Sequence, residues 1–180
     1  IDSITNLLET ALQKADIVVT TGGVSVGDYD FVQDVIKDKL KAEVLFHGVT
    51  IKPGMHLLAA IKDGKIIIAL PGFAYSSTVC AILYVLPLIY KFRNSNESLP
   101  IVKAIINQDF PRKMSKTIFT ACNVEYINGQ YHIDFEGKRA GTSAILTNML
   151  ESPALLIQKD DSEDIKKGDL VDILLLNNIK

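Results

Sequence analysis

Apolar residues recur at helical spacing in the opening segment, where Ile4, Leu7, Leu8, Ala11 and Leu12 fall on one face and the pattern stops at Lys14-Ala15-Asp16. A first helix is predicted, with Asp2 or Ser3 as its N-cap. Ile17-Val18-Val19-Thr20 is a β-branched run apolar on both faces, which predicts a strand inside a parallel sheet covered by helices. A Gly-rich stretch follows at once. From Asp30 the pairs Phe31/Val35, Val32/Ile36 and Ile36/Leu40 stack four residues apart, so a second amphipathic helix is expected.

Further on, Val44-Leu45-Phe46 and Val49-Thr50-Ile51 flank His47-Gly48 and lead into the turn residues Lys52-Pro53-Gly54. Leu57 to Ile61 and Lys65 to Leu70 surround Asp63-Gly64, a tight-turn signal between two strands, and Pro71-Gly72 ends the second of them. Tyr75 to Phe92 has helical length, with Pro87 kinking it or marking its last turns. The polar stretch Arg93 to Ser98, closed by Leu99-Pro100, is the linker candidate, which divides the chain into an α/β domain over residues 1–95 and a second domain over 99–180. That second part reads as short strands: Ile101 to Ile106, Thr117 to Tyr126, Tyr131 to Phe135, Ala154 to Gln158 and Leu170 to Leu176. Turns at Asn128-Gly129 and Lys167-Gly168-Asp169 separate them, as in a small β-barrel or sandwich.

Composition narrows the function classes. With 48% hydrophobic and 22% charged residues in 180, the chain is not disordered and has material for real cores. The 19 Lys+Arg against 21 Asp+Glu leave a formal charge of −2, so no global field favours nucleic acid or an anionic membrane, and any anionic ligand must be held locally. Cys80 and Cys122 lie far apart and outside any CxxC spacing, which suggests neither a disulfide framework nor zinc and makes a reduced, cytoplasmic protein the expectation. The longest apolar run, Val79 to Tyr90, contains Pro87 and falls short of the roughly 18 residues that span a bilayer, so it reads as a buried helix. No basic-plus-apolar signal peptide opens the chain, which begins at Ile1.

The stretch Thr20-Thr21-Gly22-Gly23-Val24-Ser25-Val26-Gly27-Asp28-Tyr29-Asp30 carries the chemistry. Ligands of open α/β sheets gather at the carboxyl ends of strands, where loops bring backbone N–H groups toward an anion. Gly22, Gly23 and Gly27 permit close approach and positive φ, while Thr21 and Ser25 add hydroxyls. The spacing is neither GxGxxG nor GxxxxGK[ST], so neither a dinucleotide fold nor a Walker-type site is indicated. Asp28 and Asp30 suit Mg²⁺, which bridges carboxylate and phosphate oxygens, and equally suit helix N-capping. His47, His56 and His132 have no carboxylate or cysteine pattern beside them and are read as loop or surface residues, and Phe73 and Tyr75 as packing residues.

Ala15 to Asp30, followed by Lys52-Pro53-Gly54 and Leu70-Pro71-Gly72, resembles the molybdopterin-binding domain of the molybdopterin molybdenumtransferase family, to which the C-terminal part of gephyrin also belongs. From Pro100 onward the chain resembles that family's C-terminal β-barrel, including Gly141-Thr142-Ser143 and Lys167-Gly168-Asp169-Leu170-Val171. The resemblance implies a three-layer molybdopterin-binding α/β domain, incomplete because its first strand is missing, followed by a small barrel. It implies a late step of molybdenum cofactor synthesis: adenylylated molybdopterin is bound, its phosphoanhydride is cleaved with Mg²⁺ present, molybdate is inserted at the dithiolene, and AMP is released.

On this resemblance Asp30, Lys52 and Ser143 are the catalytic candidates. Asp30 and Asp28 are the metal ligands. Thr21, Gly22, Gly23, Ser25, Gly27, Pro71 and Gly72 bind the cofactor. Lys52 suits molybdate or phosphate as a compact cation. The family's fuller pattern has an upstream Gly-Asp-Glu strand and two N-terminal domains, so the chain is read as a C-terminal fragment, inactive alone, of a protein that is a homodimer when complete. Molybdopterin adenylyltransferase is an implied partner, and neither nucleic acid nor membrane is expected. That adenylyltransferase is also a third reading of the chain itself, opposed by the C-terminal barrel.

The chain departs from the pattern at Met55-His56, where the family's KPGKP has Lys-Pro, and at Phe73-Ala74, where its LPGNP has Asn-Pro. Gly48 stands where a further lysine is frequent. Removing a charge-assisted hydrogen bond weakens oxyanion binding by about 1.5–3 kcal/mol. The alternative reading is therefore a non-catalytic paralogue that binds a molybdopterin species or a partner protein.

Overall fold

Helix α1 (Asp2–Lys14) forms where the periodicity places it and buries Leu8 and Leu12. Its N-cap is Ile1, with no side-chain capping bond, which corrects the expected Asp2 or Ser3 cap; Asp2 instead lies in the first turn, against the positive end of the helix dipole. The computed structural model describes the chain except residues 26, 28, 29, 113, 139–148, 150–153 and 177–180.

In chain order the next elements are β1 (Ile17–Thr21), α2 (Phe31–Asp34) running into a π-turn (Val35–Lys39), β2 (Glu43–His47) and β3 (Ile51–Lys52). They are followed by β4 (Leu58–Lys62), β5 (Lys65–Leu70), α3 (Ala74–Cys80) with a π-turn (Ala81–Val85), and α4 (Leu86–Phe92). The last five are β6 (Ile101–Ile106), β7 (Thr117–Ile127), β8 (Gln130–Asp134), β9 (Ala154–Gln158) and β10 (Leu170–Leu175). The chain divides into two compact units, one of Ile1–Val49 with Gly54–Val85, the other of Thr50–Pro53 with Leu86–Lys180.

The first unit holds a four-stranded sheet in the order β1-β5-β4-β2. Only β1 and β5 run parallel; β5–β4 and β4–β2 are antiparallel, so the expected parallel sheet is corrected to a mixed one. The cause is local: Asp63 and Gly64 adopt φ +50° and +77°, the mirror-turn geometry that reverses a chain in two residues and matches strand twist. β1 stands at one end of the described sheet, and Val19 on it is 43% exposed.

One face of this sheet presents Val18, Leu58, Ala60, Ile67 and Ala69 to Leu8 and Leu12 of α1 and to Val35, Ile36 and Leu40 of the second helix. On the other face, Phe46 of β2 meets Tyr84 with ring centroids 6.3 Å apart. Helices thus flank both faces, giving three layers. The second helix loses α-geometry after Asp34: Leu40 N–H donates to the Val35 carbonyl at 2.9 Å, a five-residue step, before Lys41 at φ +50° ends it.

The helical run Ala74–Phe92 is 19 residues long, more than the apolar run within it, and by length and composition alone it suffices to cross a bilayer. Tyr75, Ser76, Val79, Cys80 and Tyr90 of that run are packed inside the protein, and its remaining residues are half-buried or exposed, so the expectation of a wholly buried helix is corrected.

In the second unit the strand order is β3-β7-β8-β6-β10-β9, and β7 also pairs with β9, which closes β7, β8, β6, β10 and β9 into a barrel. Closure removes the free edges and excludes the sandwich alternative. Ala104, Ile106, Cys122, Ile133, Ala154, Leu156, Val171 and Ile173 alternate into its interior. Phe110 pairs with Ile165 and stacks on Phe135 at a centroid separation of 4.8 Å. β3 pairs with β7 at Thr117 and Ile118, beside the barrel strands.

Candidate functional site

β1 and β5 end together. Gly22 N–H donates to the Leu70 carbonyl at 2.9 Å, so the Gly-rich loop and the Leu70-Pro71-Gly72 turn leave the sheet side by side. A Cβ on Gly72 would stand 3.4 Å from the Gly22 Cα, at the tight limit of ordinary contact. At Gly23, φ is +72° and a Cβ would fall 2.6 Å from Val32 Cγ2; Val32 N–H donates to the Gly23 carbonyl at 3.1 Å. Glycine at 23 is therefore required both by the backbone turn and by the side chain beneath it.

The loop is held at three more points. Val24 is 1% exposed, and its carbonyl accepts a bond from His47 Nε2 at 3.1 Å, which fixes the proton on that nitrogen. Asp30 N–H donates to the Gly27 carbonyl at 3.0 Å, and Gly27 N–H donates back to Asp30 Oδ2 at 3.2 Å. Asp30 takes the N-cap position of α2, but its carboxylate makes no capping bond. Among the described residues, none accepts from the N–H groups of Gly23, Val24 or Ser25.

These loops enclose a cavity of about 310 Å³ walled by Gly22, Gly23, Val24, Ser25 and Asp30 on one side and by Pro71, Gly72, Phe73 and His56 on the other. Thr21 and Gly27 flank it without lining it, and both are exposed. Among the described residues the lining carries no Lys or Arg; its polar side chains are Ser25, His56 and the Asp30 carboxylate. An anion here would be met by amides and a hydroxyl rather than by a cation.

The structure thus brings Gly22, Gly23, Ser25, Asp30, Pro71 and Gly72 to one cavity. Lys52 lies on β3 in the second unit, paired with Ile118. Asp28 and Ser143 fall outside the described residues. His56 and Phe73 are the wall residues that sequence reasoning passes over. Phe73, 62% exposed, is not the packing residue expected, whereas Tyr75, 5% exposed, is. The available signal is position: Phe73 directly follows one Pro-Gly turn, and His56 closely follows the other.

Among the described residues there is no group of three or more His, Cys, Asp or Glu side chains able to hold a metal. A single carboxylate, that of Asp30, in the wall of a cavity still fits Mg²⁺, which takes one or two protein carboxylates and completes its shell with ligand oxygens and water. Both cysteines are free and buried, and burial pushes each thiol up to about 12, so neither is a nucleophile at neutral pH.

A family model described as "Probable molybdopterin binding domain" matches residues 1–91. The molybdopterin molybdenumtransferase of Staphylococcus aureus strain Mu50 is 31% identical over 176 residues, covering 97% of this chain and 41% of that protein. The enzyme of the same name from Staphylococcus epidermidis is 27% identical over 177 residues, covering 94% and 40%. A crystal structure of a molybdopterin biosynthesis moeA protein from Pyrococcus horikoshii OT3 superposes with a TM-score of 0.68 at 28% identity, over 96% of this chain and 38% of that one. A second structure of such a protein, at 24% identity, gives a TM-score of 0.75 and attests the fold. The chain spans about two fifths of the length of the curated relatives it matches.

Proposed function

The chain belongs to the molybdopterin molybdenumtransferase family, whose molybdopterin-binding domain it carries, and from that premise we propose that it serves the molybdate-inserting step of molybdenum cofactor synthesis. The substrates on this reading are adenylylated molybdopterin and molybdate, and AMP is released. The observation that carries it is the cavity that joins the Gly-rich loop to the Leu70-Pro71-Gly72 turn with Asp30 in its wall.

The N–H groups of Gly23, Val24 and Ser25 and the Ser25 hydroxyl donate to phosphate oxygens, with Thr21 and Gly27 beside them. Pro71 and Gly72 shape the floor, and Phe73 offers an exposed ring for a flat heterocycle. Asp30, joined by Asp28, would hold Mg²⁺, which would supply charge neutralisation at the phosphoanhydride. Lys52 and Ser143 take molybdate, the lysine as a compact cation. Because most of the relatives' length lies outside this chain, the complete protein carries the activity, as a homodimer in the cytoplasm that receives its adenylylated substrate from molybdopterin adenylyltransferase.

The test is molybdate-dependent AMP release by the full-length protein. Asp30→Ala is expected to slow it about 10- to 100-fold, the worth of one charge-assisted hydrogen bond; an unchanged rate removes Asp30 from the mechanism. One observation favours a second reading, a non-catalytic paralogue that binds a molybdopterin species or a partner protein: among the described residues the cavity wall carries His56 and Phe73 and no cation. Tight binding of adenylylated molybdopterin without turnover by the complete protein would establish that reading instead.

A further inference from the structure

Gln158 is the largest polar side chain among the fully buried residues described, 2% exposed, and neither its Nε2 nor its Oε1 has a hydrogen-bond partner among the described residues. A buried carboxamide with both atoms unpaired is costly, and such groups persist where something other than packing retains them.

Strand register places it. On β9, Ala154 and Leu156 face the barrel interior, and alternation carries Gln158 to the same face. Its partner on β7 is Ile118, whose partner on β3 is Lys52. Residues directly opposite across a ladder share a face, so Lys52, Ile118 and Gln158 form one cross-strand row within the second unit. Two strand spacings separate the Cα atoms of Lys52 and Gln158 by about 10 Å, within the combined reach of the two side chains. Gln158 is closed off from solvent, while Ile118 and Lys52 are partly open.

We infer that Gln158 is a positioning residue for an oxyanion held by Lys52. Its carbonyl accepts from the Lys52 ammonium and its NH₂ donates to an oxygen of the anion. A carboxamide has one acceptor and one donor group, and an ammonium paired with a tetrahedral oxyanion satisfies both at once. The ammonium alone leaves the donor unmet, and an anion alone leaves the acceptor unmet. The inference rests on the proposed molybdate role of Lys52.

Calorimetric titration of the full chain with molybdate tests it, alongside thermal melting of the free protein. Parent protein binds, Lys52→Ala does not, and Gln158→Leu is expected to bind at least tenfold more weakly while melting no lower than the parent. A purely structural glutamine would move affinity and melting together. Gln158→Met, nearly equal in volume, is expected to behave as Gln158→Leu does and serves if that variant misfolds. Binding that requires Lys52 but survives unchanged in the Gln158 variants overturns the inference and leaves the role of Lys52 intact. Binding indifferent to Lys52, or no binding by the parent, overturns both.

Discussion

Gly22 donates its amide hydrogen to the Leu70 carbonyl at 2.9 Å, and through this one bond the loop after β1 and the turn after β5 are fastened into a common wall. Backbone contact makes the join, so side-chain volume at this point decides whether the cavity stays open. Gly72→Ala puts a methyl 3.4 Å from the Gly22 Cα, a tight approach that a shift of a few tenths of an ångström relieves. Gly72→Val adds two branches and is expected to cost about 1–3 kcal/mol, as overpacking does. Urea denaturation and AMP titration measure both effects: the alanine variant should retain binding and the valine variant should lose it. Equal binding by the two would show that the turn does not wall the ligand site.

Gly23 carries two separate penalties for a side chain. Gly23→Ala meets Val32 Cγ2 at 2.6 Å and also forces alanine into φ +72°. Adding Val32→Ala removes the 2.6 Å contact, leaves the Cβ of residue 32 at 3.1 Å, and does nothing for the second. The double variant is expected to recover part of the loss and remain about 1–2 kcal/mol below Val32→Ala alone, the cost of a left-handed residue. Chemical denaturation of the four proteins gives the cycle; complete recovery would mean the backbone is not strained at that position.

His47 reaches from β2 to the Val24 carbonyl at 3.1 Å and holds the middle of the loop. Its replacement by alanine should cost about 0.5–1.5 kcal/mol. Faster amide hydrogen exchange at Gly22, Asp30 and Val32, whose N–H groups are bonded at the ends of the loop, with β4 and β5 unaffected, is the expected signature. Unchanged exchange in the loop would assign the tether elsewhere.

The two buried thiols set an alkaline limit. Each is held near 12 by burial, above its ordinary value of 9.0, so the folded state keeps a proton that the unfolded state gives up. Their stabilising effect is complete below about pH 9 and is lost as pH rises toward about 12. Each thiol contributes a fall of about 1.4 kcal/mol per pH unit in that window. Cys80→Ala with Cys122→Ala should flatten the decline in a pH series of denaturation midpoints, and an identical slope would show that other groups govern it.

Much of this is legible where local chemistry decides geometry. Asp63-Gly64 and Asn128-Gly129 take positive φ in succession, and the strands they join are antiparallel. Ile101–Ile106 and Ala154–Gln158 coincide with their periodic runs. Legibility fails where partners distant in sequence decide. Nothing in Ile17 to Thr20 says that the strand stands at one end of the described sheet, because that depends on which strands flank it. Four-residue spacing from Phe31 to Leu40 cannot distinguish an α-helix from one that widens at Val35, since both bury the same residues. Lys52 reads as part of the first domain's turn, yet two residues of pairing with β7 place it with the barrel. Phe73 is apolar and so reads as a packing residue; only the position of the turn exposes it.

The amide signals of Gly23, Val24 and Ser25 report directly on the cradle. Titration of isotope-labelled protein with adenylylated molybdopterin should shift these signals together, to a common saturation, and Asp30→Asn should weaken the curve when Mg²⁺ is present. Signals of these residues that stay fixed while others move would place the substrate elsewhere and contradict the proposed site.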